Sequence, residues 1–514
     1  MELYDVFQGN MEKVTIRRYF PSLVLIGILF VAAYLRLNRI SEYMTFLGDE
    51  GRDVLIVKRM IVDHDLTLLG PTASVGGFYL GPIYYYFMVP FLWLWNLDPA
   101  GPAVMVALFG VATVYLMYLV GRDFFGTRAG LAAASLYTLS PLVIAMSRSS
   151  WNPNVVPFFS TLLIYLLWRS TVKKEKYLLF WVGIVLGIGL QLHYLFLFLI
   201  GVVIVWCALT GWQKSNFRYY FYAVGGLIAG FSPFLAFEIL KGFPNTQTII
   251  RYIGSGKDTG FSLAQFFGTM NEVTFRLFGR LVIRLPQPEI WNILRFWPKT
   301  FWLISIRILI FVGLGTLIVF RKNLAAKLLL VWYAVVIILF GFYKGPIYDY
   351  YLGIFFALPF LVAGLLVALL SKTRAGLVAG LGLLAVLLWF NWLGQPFQFP
   401  PNNQLEQSKR IAQAVFEKTG GKPFNFALLA DRNSDHAFRY FFEIWGNPPV
   451  TIEFPQKDPE RKTITDQLLV LCDNTLCQPL GHPLWEIAGF GRAEVAGSWD
   501  VPFVRIYKLV HYQE

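Results

Sequence analysis

The chain has 514 residues, of which 56% are hydrophobic, 17% aromatic and 15% charged, with a mean hydropathy of +0.55 and a formal net charge of +13. A water-soluble protein carries about 25% charged residues and few apolar runs long enough to cross a bilayer, so a cytosolic enzyme, a disordered scaffold and a nucleic-acid binder are poor readings. Three cysteines exclude a disulfide framework or a multi-cysteine metal cluster as the organising principle, and a polytopic membrane protein with some soluble mass attached remains.

Apolar windows of roughly 17 to 20 residues, bounded by charges, predict about eleven transmembrane helices. They lie near 20–38, 102–120, 130–147, 154–168, 177–191, 194–211, 220–239, 301–320, 328–343, 351–370 and 375–393. The first is read as a retained span rather than a cleavable signal peptide, because its exit, Tyr34-Leu35-Arg36-Leu37-Asn38, offers no small-residue cleavage site. The apolar stretch 78–95 decides the topology. If it does not cross, Lys13, Arg17, Arg18, Arg122, Arg128, Arg169, Lys173, Lys174, Lys176, Lys214, Arg218, Arg321, Lys322, Lys327, Lys372 and Arg374 all fall on one side, and only Arg148 and Lys344 stay in the opposite short loops. The positive-inside rule selects that option, with a cytoplasmic N-terminus. Residues 79–95 are then a membrane-edge helix closed by Pro82 and Pro90, within a first outer loop 39–101. Trp93, Trp95 and Tyr84 to Tyr86 suit that interfacial depth.

Between 261 and 285 a helical pattern sets Arg276, Arg280 and Arg284 every four residues opposite Phe267, Val273, Phe278, Leu281 and Val282. It reads as an amphipathic helix on the outer leaflet, its arginines solvated by headgroups or used to recognise a phosphate. Composition changes after Asn391. Residues 394–514 hold 12 Lys+Arg and 14 Asp+Glu, so the preceding 393 carry +15 and the basic excess belongs to the membrane part. After a Pro-rich linker, helix-like 403–418 and 434–445 alternate with strand-like 424–429 and 467–471, predicting a small α/β extracytoplasmic domain. The division is 1–393 for the membrane domain and 394–514 for the soluble one. Cys472 and Cys477, flanking a turn at 473–476, suit either a local disulfide in an oxidising compartment or free thiols.

The segment Gly48-Asp49-Glu50-Gly51-Arg52-Asp53 carries the chemistry. It offers a carboxylate that can take a proton from an incoming hydroxyl or amine, and a guanidinium for a phosphate; equally, Asp49 and Glu50 can cap a helix suggested by residues 54–61. Asp63-His64-Asp65 has the spacing of a metal-dependent glycosyltransferase motif but sits at a turn, and Arg307, two turns inside its span, reads as a cation snorkelling beside Glu238. No Walker loop, G-x-G-x-x-G or H-E-x-x-H occurs, so no nucleotide-driven pump is expected.

The order of a span, an outer loop opening on Asp49-Glu50, Phe78 to Tyr86, Gly121-Arg122-Asp123-Phe124-Phe125-Gly126 and Ser140-Pro141 leading to Arg148 resembles the protein O-mannosyltransferase and aminoarabinose transferase superfamily, glycosyltransferase family 39-like enzymes of the GT-C fold. The resemblance covers about residues 15–240. It implies an integral-membrane glycosyltransferase that moves a sugar from a polyprenyl-phosphate donor to an acceptor protein, lipid or glycan on the outer face of the cell membrane. Asp49 would be the general base and Glu50 a second carboxylate. That superfamily's aminoarabinose transferases place a Lys where this chain has Leu80-Gly81-Pro82, so the leaving phosphate needs another cation. Arg52 is the first candidate, then Arg148 and Lys344, each equally an interfacial cation. A divalent ion, Mg or Mn, on Glu50 and Asp53 is the weaker option, and no cofactor is certain. His193 resembles a histidine found near the lipid phosphate in this family. Tyr84, Asn152, Tyr348 and Tyr351 offer hydrogen bonds to sugar. The competing reading is a transporter or flippase of lipid-linked sugar, which predicts ionisable residues deep inside several spans; apart from Arg307 they are nearly absent.

Overall fold

The computed structural model describes residues 2–211, 217–284, 299–431, 433–473 and 477–513, with side chains of the first helix from residue 19. Lys13, Arg17, Arg18, Lys214 and Arg218, used in the charge reading, lie outside the described side chains, as do Leu285 and residues 474–476. In chain order the first helices are α1 (Glu2–Leu37), α2 (Ile40–Tyr43), α3 (Gly48–Val62), α4 (Ile83–Leu94), α5 (Ala100–Phe125), α6 (Thr127–Leu139), α7 (Pro141–Met146) and α8 (Val156–Thr171). They continue with α9 (Leu178–Leu192), α10 (Phe196–Gly211), α11 (Phe217–Lys241), α12 (Pro244–Ser255), α13 (Leu263–Leu281), α14 (Lys299–Val319), α15 (Leu324–Gly341), α16 (Ala357–Leu370) and α17 (Arg374–Trp392).

Each of the eleven apolar windows holds a helix, but among the described residues six are long and apolar enough to cross a membrane, or seven if the turn of 3₁₀-helix Asp349–Phe355 and α16, bent by 58°, form one broken span. The chain is thus a membrane protein, and eleven crossings are not established. Proline shortens several segments. Ser140-Pro141 divides the 130–147 window into α6 and α7, and Pro153 and Pro157 hold the start of α8 to residue 156. A helix the length of α6 rises about 20 Å, against roughly 30 Å of hydrocarbon. Helix α4 starts after Pro82 and runs through Pro90 rather than closing there.

Contacts divide the chain into two compact units. The first comprises 1–38, 66–87 and 103–400; the second combines 401–514 with 39–65 and 88–102. The C-terminal segment therefore shares its unit with most of the loop that carries Asp49.

In the first unit, α9 and α11 approach until backbone meets backbone. A Cβ at Gly183 would lie 1.9 Å from the Ala223 carbonyl oxygen, at Gly226 2.0 Å from that of Phe180, and at Gly230 2.4 Å from that of Ile184. Gly183-x-x-x-Gly187 thus faces Gly226-x-x-x-Gly230, the small-residue pairing by which helices associate where no hydrophobic force separates them from lipid. Beside it, Glu238 is 2% exposed and accepts from the Asn245 N–H and amide and from the Thr246 N–H and hydroxyl. Those bonds hold the start of α12. They also occupy the carboxylate expected beside Arg307, which is exposed on α14.

The second unit is α/β. Helix α18 (Gln404–Lys418), β1 (Asn425–Leu429), α19 (His436–Ile444), β2 (Gln467–Cys472), α20 (Trp485–Ala488), β3 (Ala493–Val501) and β4 (Val504–His511) build a four-stranded sheet in the order β1-β2-β4-β3. β1 and β2 are parallel and the other pairs antiparallel, with Leu468, Val470, Leu509, Ile487 and Phe490 in the core. The β3–β4 hairpin escapes sequence reading because β3 is an edge strand with mostly exposed residues and a bulge at Val495/Gly497. Cys472 and Cys477 form a disulfide with Cα atoms 6.0 Å apart.

Gly226→Leu should lower thermal stability by on the order of 1–3 kcal/mol through overpacking. Gly225→Ala, where a Cβ meets nothing within 4 Å, should be neutral. Thermal unfolding of the two detergent-solubilised variants measures the contrast.

Candidate functional site

Helix α3 begins at Gly48, which places Asp49, Glu50, Arg52 and Asp53 in its first two turns. Glu50 is 6% exposed and reaches back to accept the Leu47 N–H at 3.1 Å. The capping function considered for either acid therefore falls to Glu50, and Asp49 is left with a side chain 55% exposed. Arg52 joins the carboxylates: Nη1 donates to Asp49 Oδ1 at 2.9 Å, while Nε and Nη2 donate to Asp53 Oδ1 at 3.0 and 2.8 Å. Asp53 is fully buried and Arg52 19% exposed, so the positive charge expected to serve a phosphate is already paired. Glu50 and Asp53 do not fit a divalent ion either, since one caps α3 and the other holds Arg52, and the described residues contain no group of three or more potential ligands. Burial, followed by the neighbouring Asp49 and Asp53 carboxylates, raises Glu50 to about 7 against the pull of backbone N–H groups.

The remaining sequence candidates lie in the first unit. Arg148 is 1% exposed; its Nη atoms donate to the Leu35 and Asn38 carbonyls at 2.7 and 2.8 Å, and the guanidinium covers the Phe397 ring. It fastens the end of α1. Asn152, 4% exposed, donates to the Leu192 carbonyl at 2.8 Å, and Tyr84, fully buried, shares a 2.8 Å hydrogen bond with Ser150. These three side chains are engaged inside the protein instead of facing a sugar.

The others come together. His193, just beyond α9, lies with its ring 5.5 Å from Tyr351 and 6.0 Å from Tyr350; Tyr348 lies 5.7 Å from Tyr351, and Tyr350 meets Trp151 at 4.5 Å. Burial pushes the imidazole down to about 4. Its Nδ1 accepts the Leu195 N–H at 3.2 Å, so the neutral ring carries its proton on Nε2. Tyr348, 50% exposed, is the open edge of this aromatic group. Lys344 follows Tyr343, which burial raises to about 12, and its ammonium lies beside Gly260 with no ion pair among the described residues.

Asp349 is the residue that sequence reading missed. It accepts from Arg276 at 2.6 Å and Arg280 at 2.8 Å, and Arg276 also donates to the Ile347 carbonyl at 2.6 Å. The two arginines are 20% and 15% exposed, so this face of α13 packs on the 347–349 loop instead of being solvated by headgroups. Glu272 also pairs with Arg276 at 3.2 Å, so two carboxylates balance the two guanidiniums and tie α13 to the loop that carries the tyrosines.

Comparison with known proteins gives a consistent picture. The profile of the dolichyl-phosphate-mannose-protein mannosyltransferase family matches residues 81–237. No curated protein matches the chain. The crystal structure of ArnT from Cupriavidus metallidurans bound to undecaprenyl phosphate is similar at a TM-score of 0.61 with 13% identity, covering 95% of this chain and 98% of that one. Its apo state matches at 0.59 with 13% identity, covering 95% and 97%.

Because the folded state keeps the Glu50 proton to about pH 7 and the unfolded state loses it near 4.5, stability contributed by the neutral acid is lost as pH rises between those values, by at most roughly 3 kcal/mol. Glu50→Gln cannot ionise. Its Tm advantage over wild type should be small at about pH 5 and grow towards pH 8, which intrinsic-fluorescence melts in detergent would measure. From α1 to β4, the chain carries an ArnT-like GT-C fold.

Proposed function

We propose that this protein is an integral-membrane glycosyltransferase that transfers a sugar from a polyprenyl-phosphate donor to a protein, lipid or glycan acceptor on the outer face of the membrane. The observation that carries the reading is Asp49. It is an exposed carboxylate in the first turn of a helix, aligned by an arginine that a buried aspartate holds in place, within a fold shared with a protein solved with undecaprenyl phosphate.

In this reading Asp49 accepts the proton of the acceptor hydroxyl or amine, whose lone pair attacks the anomeric carbon. The bond from that carbon to the phosphate oxygen breaks, its electron pair leaves with the lipid phosphate, and the configuration inverts. Charge builds on the phosphate. Lys344 takes the role first considered for Arg52 and Arg148, since its ammonium has no ion pair among the described residues and theirs are engaged. His193, neutral with its proton on Nε2, donates to a phosphate or sugar oxygen without adding charge. Tyr348 and Tyr351 supply a hydroxyl and an aromatic face to the sugar.

Membranes supplied with radiolabelled polyprenyl-phosphate sugar should show transfer. Asp49→Asn should abolish it at unchanged expression, and Lys344→Met should lower turnover by about 10²-fold, the loss typical of removing one preorganised charge. Full activity in Asp49→Asn would remove the assignment of the base.

A further inference from the structure

Within the second unit, the residues leading into α19 lie on the first turn of α3. The Gly48 N–H donates to Asn433 Oδ1 at 2.9 Å. A Cβ at Gly48 would lie 2.0 Å from Ser434 Oγ, and one at Gly51 would lie 2.3 Å from the Ala437 nitrogen and 2.7 Å from the His436 carbonyl carbon. Any side chain at either position would drive the segments apart. The two glycines flanking Asp49 and Glu50 therefore set how closely His436 approaches them. Further along, Phe46 packs edge-on against Tyr440 and Phe441, and Lys58 and Arg59 bind Glu443 at 3.2 and 3.0 Å, which fixes the pairing of the two helices. The imidazole is oriented by Ser434, whose Oγ is 2.8 Å from Nδ1, and its side chain is 39% exposed.

Four charged groups act on this ring: Asp435 and Arg439 from its own segment, Arg52 and Asp49 from α3. We propose that His436 is a positioning residue for the Asp49–Arg52 pair: the neutral imidazole leaves Asp49 bonded to Arg52 and able to take a proton, whereas the imidazolium competes with Arg52 for the Asp49 carboxylate. Burial holds the imidazole below its ordinary range; Asp435 and Asp49 oppose this, and Arg52 and Arg439 reinforce it. The ring is neutral at pH 7 and charges on acidification. The C-terminal segment thereby reaches the candidate base directly, and charging of the imidazole suppresses transfer. The inference rests on Asp49 being the base, and its test separates the two.

The test uses the full-length protein in detergent. The rate at which diethyl pyrocarbonate acylates His436, read by mass spectrometry of the peptide containing it, gives the midpoint of its titration. Wild type should titrate below 6.5. Asp49→Asn should lower the midpoint and Arg52→Gln raise it, each by about half a pH unit, and Asp49→Glu should restore it. Identical midpoints in wild type, Asp49→Asn and Asp49→Glu would overturn the proposal. Should Arg52→Gln fail to fold because Asp53 is left buried and unpaired, the two Asp49 variants decide alone. An inactive Asp49→Asn with an unmoved midpoint refutes the coupling and leaves the base assignment standing; an active Asp49→Asn with a shifted midpoint does the reverse.

Discussion

The ion pair between Arg52 and fully buried Asp53 is the contact on which the candidate base depends. A carboxylate taken out of water is costly unless a fixed cation meets it, and removing one partner of such a pair costs about 3–5 kcal/mol. Asp53 consumes two of the arginine's nitrogens and thereby fixes the direction of the third, which meets Asp49. The first two turns of α3 thus hold three acids in three environments. Asp53 is buried and paired, Glu50 is buried at the helix cap with its proton retained to about 7, and Asp49 is exposed and aligned. Neighbouring carboxylates with different surroundings are the usual means by which one segment supplies both a structural and a chemical acid.

The first unit uses positive charge in a comparable way. Arg148 is spent on the carbonyls of Leu35 and Asn38, and Arg36, fully buried, on those of Ala32, Tyr137 and Thr138, each at 3.3 Å. Both arginines hold helices together where water is scarce and carbonyl dipoles are the available partners. Asp349 restrains Arg276 and Arg280 on the loop of Tyr348 to Tyr351, which leaves Lys344 as that segment's unpaired cation among the described residues.

Much of this architecture is local in origin and could be read from sequence. Apolar runs bounded by charges located α1, α5, α6, α8 to α11 and α14 to α17, but not the short α2, α7 and α12, and the alternation after Asn391 located β1, β2, α18 and α19. The number of crossings was not accessible, because it depends on where Ser140-Pro141 and Pro153 stop a helix short. The Asp49-Glu50-Gly51-Arg52-Asp53 cluster stood out in the sequence, yet which acid is buried is a tertiary property that spacing does not encode. The same limit explains Tyr84, Arg148 and Asn152, polar residues whose partners are carbonyls and hydroxyls from distant segments. It also explains Asp349, whose arginine partners are distant in sequence, and His436, whose segment packs on the first turn of α3. The spacing Gly48-x-x-Gly51 was a usable signal, since glycines flanking a charged pair in a helix imply close approach by another backbone.

The central claim is that a glycosidic bond to phosphate is broken and its sugar moved. The most direct measurement is the fate of a doubly labelled donor, with one isotope in the sugar and another in the polyprenyl chain, incubated with the purified protein in liposomes containing acceptor-bearing membrane extract. The account predicts one free polyprenyl phosphate for each sugar transferred, with inverted configuration at the anomeric carbon. Recovery of both labels in intact donor on the opposite leaflet, with no lipid phosphate released, would contradict it and identify a transporter.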